Sequence, residues 1–205
     1  MKTKINKIDN DWVDIKNKCR TTVNKEYTEN NPKPSFKTKL LISEHSPIRL
    51  LIVNWSWKNI KSWVATHFSR HKWECFIGTQ RTDRTGVNRD ELPQGELVIM
   101  DGSANAQSLI DTARKRLCFQ ASKETRELME DLKITLRETE PELSDVLVPN
   151  CIYRCGCPEF EQCGYFDNYF IKHFIKHKND ITNIFDIEER YEAYNKDFYE
   201  IHKLN

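Results

Sequence analysis

Residues 70–81 read RHKWECFIGTQR, a segment that opens and closes with arginine. A guanidinium group stays charged at any relevant pH and can hold a phosphate through two parallel hydrogen bonds. More arginines follow at Arg84, Arg89, Arg114 and Arg116. Together with His67 and His71, this set could bind a phosphorylated ligand. Arginines are also ordinary residues of a solvated surface. Whether this set forms a phosphate site or only a solvated surface is therefore judged from the order of the residues along the chain.

The composition is that of a globular protein with little charge imbalance. The 205 residues are 38% hydrophobic and 31% charged, which suffices for one domain with an appendage. The net charge is +1, whereas nucleic-acid-binding proteins normally carry a basic excess, so no nucleic-acid partner is expected. The sequence contains no apolar run of about 18 residues, and its first residues lack the apolar core of a signal peptide. We therefore expect a cytoplasmic protein without a membrane partner.

The spacing of apolar residues predicts an α+β fold. The apolar segment 49–57 is typical of a strand, and residues 96–100 form a second strand candidate. Apolar residues recur at helical spacing in 60–68, 106–117 and 121–136, and again in the tail beyond residue 165. The polar segment 1–34, with a weak helical pattern in 11–27, is interpreted as an N-terminal arm or cover.

The order of the basic residues resembles the signature of the flavin-dependent thymidylate synthases, the ThyX family. In that family Arg-His-Arg is followed by a serine and, two positions later, by an arginine. Here Arg70, His71 and Lys72 take the first places, and Thr79 and Arg81 take the last two. Lys72 stands where the family has arginine, and Thr79 stands where it has serine.

Two later stretches are similar to the same family and occur in the same order. Arg89 precedes a Leu-Pro pair, and a predicted helix begins after Asn105 and ends on Arg116. The resemblance covers about residues 40–148, and the connection from Arg81 to Arg89 is shorter than the helical excursion typical of the family. It implies a ThyX-like fold, a small and mostly antiparallel sheet flanked by long helices. Residues 35–150 would form this nucleotide-binding domain, followed by a cysteine-rich loop at 151–164 and a helical C-terminal extension at 165–205.

The resemblance also implies which residues form the site. In the family dUMP lies at a subunit interface of a homotetramer. Carried over, the nucleotide-binding residues are His67, Arg70, Thr79, Gln80, Arg81, Arg89 and Arg116, of which Arg116 is also the catalytic residue. The residues carried over to FAD are His71, Lys72, Asn105, Gln107 and Asp111. Gln107, Asp111 and Gln120 replace an arginine, an asparagine and a histidine of the family, and Asp111 would add a negative charge near the pyrophosphate of FAD.

The activity that the resemblance implies is methylation of dUMP to dTMP. Methylenetetrahydrofolate donates the carbon, reduced flavin donates the hydride, and NADPH is the further co-substrate. Two alternatives stay open. One is a related one-carbon or redox modification of another pyrimidine nucleotide that uses a cysteine-bound metal or iron–sulfur centre. The other is a non-catalytic nucleotide-binding or structural protein on the same fold.

The cysteines are concentrated behind the family-like region. Cys151, Cys155, Cys157 and Cys163 lie within thirteen residues, and Cys118 follows the helix that ends with Arg116. In a reducing compartment such a cluster is typical of zinc or an iron–sulfur cluster, with free thiols or a redox disulfide as the alternative. His173 and His177 also have a metal-binding spacing, but the lysines around them favour a solvated basic face.

Overall fold

The computed structural model describes residues 3–203. The strands are β1 (Thr3–Asp9), β2 (Ile52–Lys61), β3 (Glu74–Ile77) and β4 (Leu97–Asn105). The α-helices are α1 (Trp12–Thr21), α2 (Pro34–Ile42), α3 (Ser62–Phe68), α4 (Thr82–Thr85), α5 (Ala106–Arg116), α6 (Lys123–Arg137), α7 (Pro141–Val146), α8 (Asn150–Arg154), α9 (Ile171–Lys178) and α10 (Ile187–Ile201). Short 3₁₀ turns occur at Ser46–Leu50, Arg89–Glu91 and Thr182–Phe185, and a π-helical turn at Tyr165–Phe170 leads into α9.

The chain divides into two compact units. The first contains residues up to 32 and residues 46–108, and the second contains residues 33–45 and those from 109 onward. None of the helices in residues 3–203 is long and apolar enough to cross a membrane. The predicted α+β class, with a small antiparallel sheet, long helices and a helical C-terminal region, is confirmed. The division at residues 34, 150 and 164 stays a prediction.

The described part of the first unit is built on a four-stranded antiparallel sheet in the order β1-β2-β4-β3. Trp55 and Trp57 of β2, Met100 of β4 and Phe68 of α3 are all fully buried on one side of it. Trp55 lies opposite Gly102 in the β2–β4 register. A Cβ atom at Gly102 would lie 2.3 Å from the Trp55 ring, so only glycine fits beneath the indole.

Strand β4 shows how the other side of the sheet differs. Val98, Met100 and Ala104 are buried, whereas Leu97 and Ile99, which alternate with Val98 and Met100, are half exposed. This alternation is the period of a strand with one packed face. Phe76 of β3 is paired with Asp101 and is 68% exposed, so it adds an aromatic ring to the same outer face.

The predicted boundaries differ from the observed ones in three places. The strand predicted at 49–57 lies at Ile52–Lys61, because a 3₁₀ turn occupies Ser46–Leu50. Ile60 still pairs with Val98, so α3 begins only at Ser62. The polar arm contains β1, which sequence patterns did not indicate. This strand forms because it pairs with β2, and the Trp57 indole of β2 also donates a buried hydrogen bond to Thr3 Oγ1.

The second unit is a helical assembly around α6 and α10. Leu128, Leu132 and Leu136 recur at helical spacing on α6 and are buried. Lys133 of the same helix is also fully buried, and its Nζ donates hydrogen bonds to the Ser144 carbonyl (2.6 Å) and to Asn195 Oδ1 (2.7 Å). A buried ammonium group needs such acceptors, since it has lost its water.

Candidate nucleotide site

The turn after α3 carries the first part of the arginine signature. The Trp73 indole N–H donates to the Phe68 carbonyl (2.6 Å), and the His71 N–H donates to the same oxygen (3.0 Å). The His71 and Trp73 rings contact Phe68 and are half buried, whereas Arg70 and Lys72 are exposed. In residues 3–203 the side chains of Arg70 and Lys72 make no ion pair or hydrogen bond. The turn therefore buries its rings and leaves its two cations available to a ligand.

The second part of the signature follows β3. The Gly78 N–H donates to the Ile99 carbonyl (2.8 Å), which fixes the end of the strand. The Arg81 N–H donates to Thr79 Oγ1 (3.2 Å), so the Thr-x-Arg segment closes as a turn. The Arg81 guanidinium donates to both carboxylate oxygens of Asp83, at 3.0 and 2.7 Å. Arg81 is thus held in place, but a ligand phosphate has to compete with Asp83 for it.

Arg89 is tied to the same loop. Its backbone N–H donates to Thr82 Oγ1 (3.1 Å), next to Arg81, and its carbonyl accepts from the Leu92 N–H (3.2 Å). Its guanidinium is exposed and makes no ion pair in the described part of the chain. The structure therefore brings Arg81 and Arg89 into one loop by direct contacts.

Arg70 lies four residues before β3 and Arg81 lies four residues after it. The four residues of this strand span three steps, which separates the Cα atoms of its ends by roughly 10 Å. Such a separation suits a ligand with two recognised ends, such as a phosphate and a base, better than a single phosphate ion. Sequence reasoning grouped these arginines but could not show that a strand stands between them.

The remaining candidates of the first unit occupy different positions. His67 lies on α3, where its ring packs edge to face against Trp63 at 5.3 Å. Gln80 is half buried in the turn after β3. Asn105 Oδ1 accepts from the Ser108 N–H (2.9 Å) and so caps the beginning of α5, while its amide NH₂ has no partner in residues 3–203. Gln107 is half buried in the first turn of α5.

These residues fit the chemistry of FAD. The Lys72 ammonium and the Asn105 amide NH₂ have no partner among the described residues, and the His71 imidazole is half buried. These groups are donors that suit a phosphate-bearing, heteroaromatic cofactor.

In the second unit Arg116 ends α5 and is half buried. Asp111 makes an ion pair with Arg114 (3.2 Å), which also bonds to Glu44 and lies 3.6 Å above the Tyr153 ring. Burial disfavours the charge of Arg114, but the hydrogen bond and charge of Glu44 outweigh burial and raise its pKa. The negative charge of Asp111 is therefore partly compensated, because Arg114 shares its single positive charge with Glu44.

Four of the five candidate metal ligands line one small cavity of about 10 Å³: Cys118, Cys151, Cys157 and Cys163. Burial and the neighbouring thiols raise the pKa of Cys151 to about 12, and burial also raises the pKa of Cys118. Cys155 is turned to another partner, since its thiol donates to the Ile184 carbonyl at 3.5 Å.

The expected zinc or iron–sulfur centre finds no support. Among residues 3–203 no group of three or more His, Cys, Asp or Glu side chains could hold a metal ion. All seven cysteines lie in the described part of the chain, where each is a free thiol. The four thiols share a cavity wall, but they are not arranged as a coordination shell.

The prediction that His173 and His177 lie on a solvated face is wrong. Both Nε2 atoms are buried and have no hydrogen-bond partner in the described residues. Their rings lie 4.2 Å apart, and His173 Nδ1 is 3.3 Å from Asp197 Oδ1 of α10. The sequence pattern misled because burial depends on the helix packed against α9. Lys172 and Lys176 are exposed, whereas Lys178 pairs with Glu189 and Glu192 of α10, each at 2.6 Å.

Comparison with known proteins finds matches for the fold of the chain but none for its sequence. No protein-family model matches the chain, and no curated protein matches it either. The ThyX structure from Helicobacter pylori with FAD and dUMP does match, with a TM-score of 0.61 at 13% identity, over 72% of this chain and 100% of that chain. The chain has the ThyX fold.

Two other solved structures agree. A second ThyX structure from Helicobacter pylori with FAD and dUMP has a TM-score of 0.59 at 14% identity, covering 72% of this chain and 99% of that chain. The UMP/dUMP methylase PolB from Streptomyces cacaoi, bound with 5-Br dUMP, has a TM-score of 0.55 at 11% identity, covering 70% and 93%. The resemblance first noted in the arginine signature is thereby confirmed for the fold, and at these identities the ThyX fold is what the likeness establishes.

Proposed function

We propose that the chain is a diverged ThyX-family enzyme that methylates dUMP to dTMP. The observation that carries this proposal is that Arg70 and Arg89 are exposed and have no protein partner among residues 3–203. Both stand at positions that resemble the ThyX family, on a chain with the ThyX fold. Cations kept free of ion pairs contribute little to the fold, whereas they are what a phosphate requires.

Each proposed residue has a chemical role. Arg70, Arg81 and Arg89 hold the phosphate and the polar edges of the nucleotide, and the hydroxyl of Thr79 adds a further polar contact. His67 and Gln80 complete the nucleotide site. Arg116 acts as the catalytic residue by donating hydrogen bonds to the uracil, where they stabilise negative charge that develops on the ring.

The proposed cofactor residues are His71, Lys72, Asn105, Gln107 and Asp111. When bound, FAD supplies the hydride, while methylenetetrahydrofolate supplies the carbon and NADPH the electrons. Lys72 and the amide of Asn105 would bind and orient it, and the Asp111–Arg114 ion pair would limit repulsion of its pyrophosphate.

We further propose that the protein is a homo-oligomer, a tetramer as in the family it resembles. Phe76, Leu97 and Ile99 expose 68%, 55% and 50% of their surface on one face of β3 and β4. Adjacent exposed apolar side chains on a sheet favour burial against another chain.

The test is a dTMP assay with dUMP, methylenetetrahydrofolate, NADPH and FAD, together with calorimetric titration of dUMP. Arg89→Ala is expected to weaken dUMP binding about 10- to 100-fold, since it removes a charge-assisted hydrogen-bond donor. Arg84→Ala is the matched control, because Arg84 is exposed in the same loop, lies near Asp83 (3.9 Å) and is not part of the signature. Equal effects of the two variants would contradict the proposed site.

A second candidate is a nucleotide-binding protein that kept the fold without catalysis. It is favoured by Gln120, which replaces a family histidine and instead donates to the Glu161 carbonyl at 2.8 Å. Under this alternative the purified protein binds dUMP, stays colourless after addition of FAD and forms no dTMP. Parallel titrations with UMP and dCMP test the remaining alternative, another pyrimidine nucleotide as substrate.

A further inference from the structure

The second unit contains a cavity that shares Phe119, Cys163 and Tyr165 with the small cysteine-lined cavity but includes none of the proposed nucleotide or FAD residues. Its volume is about 670 Å³, within the range of small-molecule sites. Aromatic rings form much of its wall: Phe119, Tyr165, Tyr169, Tyr194 and Phe198. Most of them belong to the region behind residue 148, outside the stretch whose sequence resembles ThyX.

Two tyrosine hydroxyls in this wall lack protein partners. Tyr194 is only 6% exposed, yet neither it nor Tyr165 makes a hydrogen bond within residues 3–203. Other tyrosines of this unit are satisfied: the Tyr169 hydroxyl donates to Asp197 (3.0 Å), and the Tyr199 hydroxyl contacts Ser144 (2.9 Å). A hydroxyl on a tyrosine as deeply buried as Tyr194 normally finds a partner. Tyr194 therefore indicates a ligand that supplies an acceptor, and the half-buried Tyr165 offers a second donor in the same wall.

Both phenols can serve as donors over the physiological pH range. Burial raises the pKa of Tyr194 and of Tyr165, so each hydroxyl stays protonated. A protonated phenol donates one hydrogen bond, and a carbonyl oxygen or a ring nitrogen of a ligand can accept it.

The charges at the cavity compensate one another. Arg126 Nε donates to Glu130 (3.2 Å), and His202 Nε2 lies 3.7 Å from the same carboxylate. Asp197 accepts from Tyr169 and lies 3.3 Å from His173 Nδ1. Among the described lining residues the one arginine is already paired, so none offers a free cation for a phosphate, and an uncharged ligand fits the cavity better.

The rings form an apolar wall by packing against one another. The Phe119 and Tyr165 centroids lie 4.8 Å apart, and Tyr165 and Tyr169 are stacked at 5.6 Å with planes 24° apart. Arg126 lies over the Phe119 ring at 4.6 Å, and Tyr169 is also stacked with His173. The wall therefore offers a ligand ring edges and apolar surface.

We propose that this cavity is a second binding site, for an uncharged, largely apolar molecule whose acceptors receive hydrogen bonds from Tyr165 and Tyr194. The ligand packs against the apolar wall that Phe119, Tyr165 and Tyr169 form. The site is independent of the proposed nucleotide site, because its residues lie in the second unit and do not include any of the signature residues.

The test uses acridone, an uncharged fluorescent tricycle with a carbonyl acceptor, titrated against the full chain. Saturable binding of one acridone per chain is expected. Tyr194→Phe should weaken it about three- to tenfold, the worth of one hydrogen bond. The same variant should keep the melting temperature within about 2 °C, since the hydroxyl has no protein partner to lose.

A pair of surface variants tests whether acridone binds in this cavity. Ile201 lines the cavity and is 62% exposed, so Ile201→Trp should fill part of it and weaken acridone binding about tenfold or more. Ile175 is 43% exposed on α9 and does not line the cavity, so Ile175→Trp should bind acridone like the wild type.

Three results would overturn the proposal: no saturable binding, wild-type affinity in both Tyr194→Phe and Ile201→Trp, or an equal loss in Ile175→Trp. Arg89→Ala separates this proposal from the proposed enzyme. It should bind acridone like the wild type even if the protein forms no dTMP, whereas a matching loss of acridone affinity would place the probe in the nucleotide site and overturn the second site.

Discussion

Three cations of the first unit and two of the second differ in how they are satisfied. In the first, Arg70, Lys72 and Arg89 are exposed and lack ion pairs in the described residues. In the second, Lys133 and Arg190 are buried and saturated, Arg190 donating to the carbonyls of Ile152 (2.8 Å) and Ile184 (2.7 Å). A buried cation must find acceptors to offset its lost hydration, whereas an exposed one keeps water until a ligand replaces it. Free cations on a loop therefore indicate binding, and saturated cations in a core indicate architecture.

Arg116 tests whether the second unit also contributes to catalysis. Arg116→Ala is expected to lower the kcat for dTMP formation about 100- to 1,000-fold, the usual loss when a charge-stabilising donor is removed. Lys115→Ala is the matched control, because Lys115 is exposed on the same helix and pairs with Glu159 at 3.1 Å. A kcat that falls equally in both variants would mean that the helix, and not Arg116, is affected.

Gly102 tests the packing on which the first unit depends. Gly102→Ala should lower the free energy of unfolding by about 3 kcal/mol, because the new Cβ would lie 2.3 Å from the fully buried Trp55 ring. Gly95→Ala has no atom of the described residues within 4 Å of its new Cβ and should change stability little. Urea denaturation followed by tryptophan fluorescence measures both, and a tolerated Gly102→Ala would show that the ring can move aside.

The pH dependence of the free energy of unfolding tests the environment of Lys133 in the core of the second unit. Burial lowers its pKa from 10.5 to about 7, so between these values the unfolded chain binds more protons than the folded one. The free energy of unfolding should therefore increase with pH, by about 2 kcal/mol from pH 7.5 to 9.5, and this contribution is lost as the pH falls toward 7.

The variant Lys133→Met should lack this pH-dependent gain. Lys123→Met on the same helix, whose side chain is 76% exposed, should retain it. Parallel stability curves for the wild type and Lys133→Met across this pH range would contradict the assignment of the gain to Lys133.

Substitution of Asp83 should give the smallest of these effects, a change in the affinity for dUMP. Asp83 holds the Arg81 guanidinium, and both side chains are more than half exposed, so the pair is weak. Asp83→Asn should free Arg81 and raise the affinity for dUMP by about twofold to threefold. Asp90→Asn removes the same charge from the same loop without freeing Arg81, so an equal gain there would indicate only a change in overall loop charge.

Short-range patterns in the sequence were sufficient for the fold class and for the order of the arginine signature. The helical spacing in 106–117 and 121–136 predicted α5 and α6 within a few residues, because residues on one helix face are neighbours along the chain. The proposed site residues were found in the same way, since a signature depends on local spacing. Their roles remain predictions.

Features made by distant residues could not be predicted. Strand β1 looked like a polar arm because its partners lie about fifty positions away in β2. Three further features likewise depend on which helices pack together. They are the buried Nε2 atoms of His173 and His177, the arrangement of the cysteines without a coordination shell, and the Tyr194 hydroxyl without a partner in the described residues. By itself, the sequence determined which chemistry the chain carries and in what order. Only the tertiary structure decided which of these groups are buried, paired or left free, because burial and partners depend on contacts between segments far apart in the sequence.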